Sequence, residues 1–174
     1  REIKQEFVTR DELAIHFAEL FETYREDILI DEILFKTIGA LDPNINLYDL
    51  LLDIYSESTV GFFDIYTEKL YVVKDTLEFS PTDLLTYAHE FTHGLQQQYF
   101  DIRETSEDLQ QNHDQYAAYH AIIEGDASVA EILYALAFFD EEEQAIVRGA
   151  DAISNFEVFE SAPPLVQRII LFPY

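Results

Sequence analysis

The chain has 174 residues, of which 35 are Asp or Glu and 10 are Lys or Arg, so its formal net charge at pH 7 is −25. So acidic a surface repels nucleic acid and anionic lipid headgroups, which excludes both as expected partners. It attracts cations and basic peptides, although the same charge also serves plain solubility. The chain contains no Cys, which excludes disulfides and Cys-based metal sites.

Two further features bound the problem. No run approaches the roughly 18 consecutive apolar residues of a membrane span, so we predict no membrane insertion by this chain. The sequence begins at Arg1 and contains no Met, and we therefore expect it to be part of a longer protein. Compartment and oligomeric state do not follow from composition.

Three helices are predicted in the first 55 residues. Thr9 and Glu12 have capping-box spacing and precede a helical apolar pattern over residues 11–25. A second helix is predicted over residues 27–38, with Gly39 just past its end. Asn46 is placed to cap a third helix, which runs through Tyr55. We interpret about residues 1–44 as a helical lead-in to a single domain that spans residues 1–174.

The pattern then changes to that of a small sheet. Residues 60–65 and 70–74 are rich in aromatic and β-branched side chains and flank a short polar stretch, which is typical of a hairpin. Ser80 and Pro81 follow as a helix start, and the helix is predicted to reach about Tyr99.

The remainder is predicted to be mainly helical. Residues 100–112 are interpreted as including a loop, followed by a helical pattern from about residue 108 to 139 that Gly125 interrupts. Residues 140–149 form a short helix, and Pro163 and Pro164 begin a last one, which ends near residue 173. The predicted fold class is α+β, mainly α-helical, with a small hairpin before the helix at residues 81–99.

That helix carries the chemistry. Residues 89–93 read His-Glu-Phe-Thr-His, and positions i and i+4 lie on one helix face, so His89 and His93 can offer two imidazole nitrogens to one metal ion. Zinc accepts imidazole and carboxylate ligands. Glu90 lies beside the metal rather than on it, where it can take a proton from a water that the metal holds.

A catalytic zinc needs a third protein ligand. Spacing offers Glu124, Asp126 and Glu131 as carboxylates on the later helix, and His120 shares a face with Glu124. Glu124 stands among apolar residues and Gly125, and an inward-facing carboxylate is costly unless it is paired or metal-bound. From the residues alone, the choice among these four stays open.

These segments resemble the gluzincin metallopeptidases, and more closely a group of poorly characterised bacterial zinc peptidases. The resemblance lies in residues 60–64, 69–72, 88–101, 124–127 and 163–174. It implies a zincin-like fold, one zinc ion and Glu124 as the third ligand. Gluzincins often carry an Asp four residues after the ligand Glu, hydrogen-bonded to a ligand histidine. Here that position is Ser128, so the partners of the ligands must differ.

The expected function is zinc-dependent hydrolysis of peptide bonds in a peptide or protein substrate, with Glu90 as general base. Two alternatives are a catalytically inactive metal-binding pseudopeptidase and a helical protein-interaction module in which the motif is accidental. We further predict that residues 70–74 form the edge of the sheet and pair with an extended substrate, the alternative being that residues 60–65 form the edge and residues 70–74 are central.

Overall fold

The computed structural model describes residues 2–73, 79–149 and 157–171. The structure is 72% helical and contains one small sheet, so the fold class is α+β and mainly α. In chain order the elements are β1 (Lys4–Val8), α1 (Arg10–Thr23), α2 (Arg25–Thr37), α3 (Leu47–Ser58), β2 (Gly61–Asp64), β3 (Lys69–Val73), α4 (Pro81–Phe100), α5 (Ile102–Leu109), α6 (His113–Phe138), α7 (Glu141–Gly149), α8 (Glu157–Ser161) and α9 (Pro164–Leu171). They form two compact units. One contains the three strands with α4–α7, and the other contains α1–α3 with α8 and α9.

The sheet has the strand order β1-β3-β2. The predicted hairpin is confirmed, because β2 runs antiparallel to β3 and pairs Phe62 with Tyr71. β1 was not predicted, and it pairs in parallel with β3 in the register Lys4 to Lys69 and Val8 to Val73.

The prediction that residues 70–74 form the sheet edge is therefore wrong. β3 has β1 on one side and β2 on the other, so its main-chain groups are used by the sheet rather than offered to a substrate. Residue 74 itself lies outside the described residues. The edge that belongs to the hairpin is β2.

The core of the first unit forms where α4 packs against the sheet. Its buried members are Ile3, Phe63, Leu70 and Val72, and Tyr87 and Phe91 of α4 pack against them. Leu70 has no exposed surface. The same helix that carries the histidine pair is thus fixed to the sheet by the face that bears these aromatic rings.

Local signals predicted the start of α4 correctly. The Ser80 hydroxyl accepts from the backbone N–H of Asp83, and the Asp83 carboxylate accepts from the backbone N–H of Ser80. With Pro81 in the first turn, the helix has a defined origin. The position of His89 along α4 follows from it.

The segment between α4 and α6 differs from the prediction. Much of the expected loop is the helix α5, and α6 begins at His113 rather than near residue 108. Asp101, with a φ of 46°, ends α4 and also caps α5 by accepting from the backbone N–H of Glu104. The helix α5 could not be predicted from its sequence, because it is acidic and polar and too few of its residues are apolar to show helical periodicity.

Gly125 does not interrupt α6, which continues through it as one helix of 26 residues. A glycine costs a helix interior about 1 kcal/mol relative to Ala. Packing of α6 against α4, which buries Ile123, Glu124 and Ala127, outweighs that cost.

The second unit is wholly helical within the described residues. Its buried core consists of Ile28, Leu41, Leu47, Ile54, Phe159, Ala162 and Val166. The predicted capping box of α1 is confirmed between Thr9 and Glu12, and Gly39 adopts a φ of 74° just past α2, as expected. The helix α8 was not predicted. None of the described helices has the length and apolar character that crossing a membrane requires.

Candidate metal centre

The two histidines of the motif lie one turn apart on α4. Their ring centroids are 4.8 Å apart and the rings are nearly perpendicular, at 80°. His89 is 7% exposed, and the side chain of His93 is 12% exposed. Both rings therefore face the protein interior on the side of α4 that meets α6.

Glu124 approaches both rings from α6. Its Oε2 atom lies 3.1 Å from His89 Nε2 and 3.5 Å from His93 Nε2. Ligand atoms of these three residues all lie within 4.8 Å of one another, and among the described residues they are the one His, Asp or Glu group of this kind. The structure thus brings together the three residues that sequence and resemblance suggested as ligands.

The other three candidates lie around this group but not in it. Asp126 accepts a hydrogen bond from Gln96 Nε2 at 2.9 Å. Glu131 Oε2 lies 3.4 Å from His89 Nδ1, on the far side of the ring from Glu124. His120 Nδ1 is 4.0 Å from Glu124 Oε1, and its ring packs against Tyr116.

The Nδ1 atoms of both histidines have partners of their own. Glu131 stands at Nδ1 of His89, and the side-chain oxygen of Gln96 lies 2.9 Å from Nδ1 of His93. Outer partners of this kind fix the ring orientation of metal-binding histidines. Glu131 lies seven residues after Glu124, two turns along α6, so the carboxylate beside His89 Nδ1 comes from this position and not from position 128.

Glu90 follows His89 on α4 and is held by the sheet. Its Oε2 atom accepts the backbone N–H of Phe63 on β2 at 2.8 Å. Burial raises the pKa of Glu90, and the nearby imidazoles of His93 and His89 oppose this. A carboxyl group with a raised pKa next to a candidate metal site is suited to accepting and returning a proton.

The charges of the three central residues are strongly linked. Burial lowers the pKa of His89, but hydrogen bonds to Glu124 and Glu131 outweigh burial and raise the pKa to about 10. Burial raises the pKa of Glu124, and hydrogen bonds from His89 and His93 more than reverse this and lower it to about 2. The pKa of His93 is raised too, because Glu124 and Glu90 outweigh its burial. Without a metal, the raised pKa values of His89 and His93 favour protonated imidazoles, which carry the positive charge of the cluster.

These residues fit a zinc ion. Two imidazole Nε2 atoms and one carboxylate oxygen converge, and this His, His and Glu set is a known catalytic zinc set that leaves a fourth position open. Glu124 is 9% exposed, and its Oε2 atom lies against the two rings that the ion would share with it, while His120 stands 4.0 Å from its Oε1 atom. A divalent cation bound there would replace these protons with a fixed charge.

Sequence reasoning missed two contacts of this site. Gln96 stands three residues after His93, a spacing that places both on one helix face and could have indicated the contact. The bond from Phe63 to Glu90 comes from a main-chain group on another element, for which the sequence carries no signal. No family model, curated protein or solved structure matches this chain.

Proposed function

We propose that the protein is a zinc-dependent metallopeptidase with a zincin-like arrangement, in which His89, His93 and Glu124 hold one zinc ion and Glu90 is the general base. The supporting observation is the convergence of both Nε2 atoms on Glu124 Oε2, at 3.1 and 3.5 Å, with Glu90 adjacent on the same helix. A helix packed beside a small sheet supports the zincin-like reading.

A bound zinc supplies Lewis acidity, which polarises a peptide carbonyl and acidifies water. Glu90 takes the proton of the attacking water and passes it to the leaving amine. The N–H of Phe63 orients the Glu90 carboxylate for both transfers. His120, whose ring lies beside Glu124 and is 35% exposed, is placed to contact a substrate from the α6 side.

The outer side of β2 is the proposed docking edge. Val60 C=O accepts from Val73 N–H, so the main-chain groups of Val60 face β3. In an antiparallel pair, successive residues of a strand point their N–H and C=O groups alternately toward and away from the partner strand. Gly61 and Phe63 therefore direct these groups away from β3, and Phe63 N–H bonds to Glu90. An extended peptide that pairs with Gly61 lies close to Glu90, and such main-chain pairing leaves sequence preference to side-chain pockets.

The test separates metal binding from hydrolysis. We expect the wild-type protein to bind one zinc ion per chain, by elemental analysis, and to cleave an unstructured protein substrate. Glu90→Gln should keep the zinc, because Glu90 is not a ligand, and should lose about 10²–10⁴-fold in hydrolysis rate. Glu107→Gln, an exposed acid on α5, is the matched control and should leave both unchanged.

Three results would contradict the proposal. Wild-type protein that takes up no zinc rules out the metal site. Zinc uptake without hydrolysis favours the pseudopeptidase. Full activity of Glu90→Gln shows that another group is the base.

A further inference from the structure

We propose that Gln96 is a positioning residue of the metal centre: its side-chain amide fixes the proton of His93 on Nδ1 and ties the helix of the histidines to the helix of Glu124. This rests on the proposed zinc site. This positioning role of Gln96 is separate from the roles of the His-Glu-Phe-Thr-His motif and of the third ligand.

The orientation of the amide follows from its neighbours. Gln96 Nε2 lies 3.0 Å from the backbone oxygen of Ile123 and 2.9 Å from Oδ2 of Asp126. Both of these atoms accept hydrogen bonds and neither can donate, so the group facing them must be the NH₂. The opposite orientation would set an amide oxygen against a carbonyl and a carboxylate.

The protonation of His93 then follows from that orientation. The Gln96 oxygen, which can only accept, lies 2.9 Å from His93 Nδ1. Nδ1 must therefore carry the hydrogen. In the neutral ring this leaves the lone pair on Nε2, the nitrogen that faces Glu124 Oε2 at 3.5 Å. His93 is thus held in the tautomer that a metal ligand at Nε2 requires.

The same amide also sets the spacing between the two helices. Ile123 directly precedes Glu124, so the bond to its carbonyl holds the α6 backbone next to the third ligand. Gln96 is 4% exposed, and its two N–H groups and its oxygen all have partners. One side chain thus couples the second and third ligands, which come from different helices.

The neighbouring residue provides a matched control. Gln97 is 6% exposed and also bonds through both ends of its amide, to Asp101 Oδ1 and to the backbone N–H of Arg103. Those partners lie where α5 begins, away from the histidines. Gln96→Leu and Gln97→Leu therefore remove similar buried amides from adjacent positions, and only Gln96→Leu removes a contact of the metal site.

The experiment measures the zinc dissociation constant by competition with a chelator, together with urea unfolding of the metal-free protein. We expect Gln96→Leu to weaken zinc binding about 10–100-fold. Gln97→Leu should stay within about threefold of wild type, even if the loss of a buried amide lowers the free energy of unfolding. Asp126→Ala, at an exposed position, should weaken zinc binding about tenfold.

The outcomes are separable from those of the proposed function. Wild-type protein without zinc overturns the metal site and this inference with it. Zinc binding by wild type with equal losses in both leucine variants, or with no loss in Gln96→Leu, overturns the role of Gln96 alone. If Gln96→Leu does not fold, Asp126→Ala decides: unchanged zinc affinity overturns the proposal.

Discussion

Zinc affinity should depend steeply on pH, because the ion must displace a proton from His89. Contacts with Glu124 and Glu131, acting against burial, raise the pKa of His89 from 6.5 to about 10 in the metal-free protein. Glu124 has a pKa lowered to about 2 and releases no proton near neutrality. Binding is therefore coupled to imidazole deprotonation rather than to the carboxylate.

The magnitude follows from the distance between pH and pKa. At pH 7, three units below a pKa of about 10, only about one molecule in a thousand has a neutral His89. Zinc affinity at pH 7 is then about a thousandfold below its limit, and it should rise about tenfold per pH unit up to pH 10. His93, with its pKa also raised, adds a second proton for the ion to displace and steepens the dependence wherever that ring is protonated.

The stability of the metal-free protein should follow the same protons in the opposite direction. A raised histidine pKa stabilises the fold fully below pH 6.5, and this contribution is lost as pH rises toward 10. The lowered pKa of Glu124 stabilises the fold above pH 4.5, and that contribution is lost as pH falls toward 2. From these groups alone, metal-free protein is most stable between pH 4.5 and 6.5.

Two assays test this linkage. Chelator competition from pH 6 to 10, corrected for the chelator's own protonation, gives the slope of zinc affinity. NMR titration of the His89 imidazole in metal-free protein gives its midpoint, and in Glu124→Gln that midpoint should fall because the principal charged acceptor is gone. A wild-type midpoint near 6.5, with zinc affinity level above pH 7, would refute the reasoning.

Two further changes probe the surroundings of the site. Glu131→Gln keeps an acceptor near His89 Nδ1 but removes its charge, and we expect zinc binding about tenfold weaker by chelator competition; exposed Glu142→Gln is the control, and equal affinities would show that Glu131 has no part. Leu70→Ala empties a fully buried position on β3 and should cost about 2–5 kcal/mol in urea unfolding. Leu133→Ala, at 60% exposure, should cost under about 0.5 kcal/mol, and similar losses in both would contradict the assigned core.

Much of the fold can be predicted from the sequence, because it depends on interactions between residues close together in the chain. The capping boxes at Thr9 and Ser80 use residues three apart, and the hairpin joins strands separated by a few residues. The pairing of His89 with His93 needs only the period of a helix. Such features depend on backbone geometry within one element, so residue type and spacing are sufficient to predict them.

The contacts that complete the site come from distant parts of the chain. Lys4–Val8 is exposed along most of its length, so β1 had no apolar alternation to reveal it. Pairing with a strand more than 60 residues later made it part of the sheet and turned β3 from an edge into the centre.

The proposed third ligand shows the same division most clearly. The sequence by itself determined that His89, Glu90 and His93 share one helix. It left the third ligand open among four residues: Glu124, Asp126, Glu131 and His120. Only the packing of α6 on α4 decided among them, because it alone fixes the angle at which each turn of α6 meets the histidines. Glu124 reaches both Nε2 atoms, whereas Glu131 reaches Nδ1 of His89 and Asp126 reaches only Gln96.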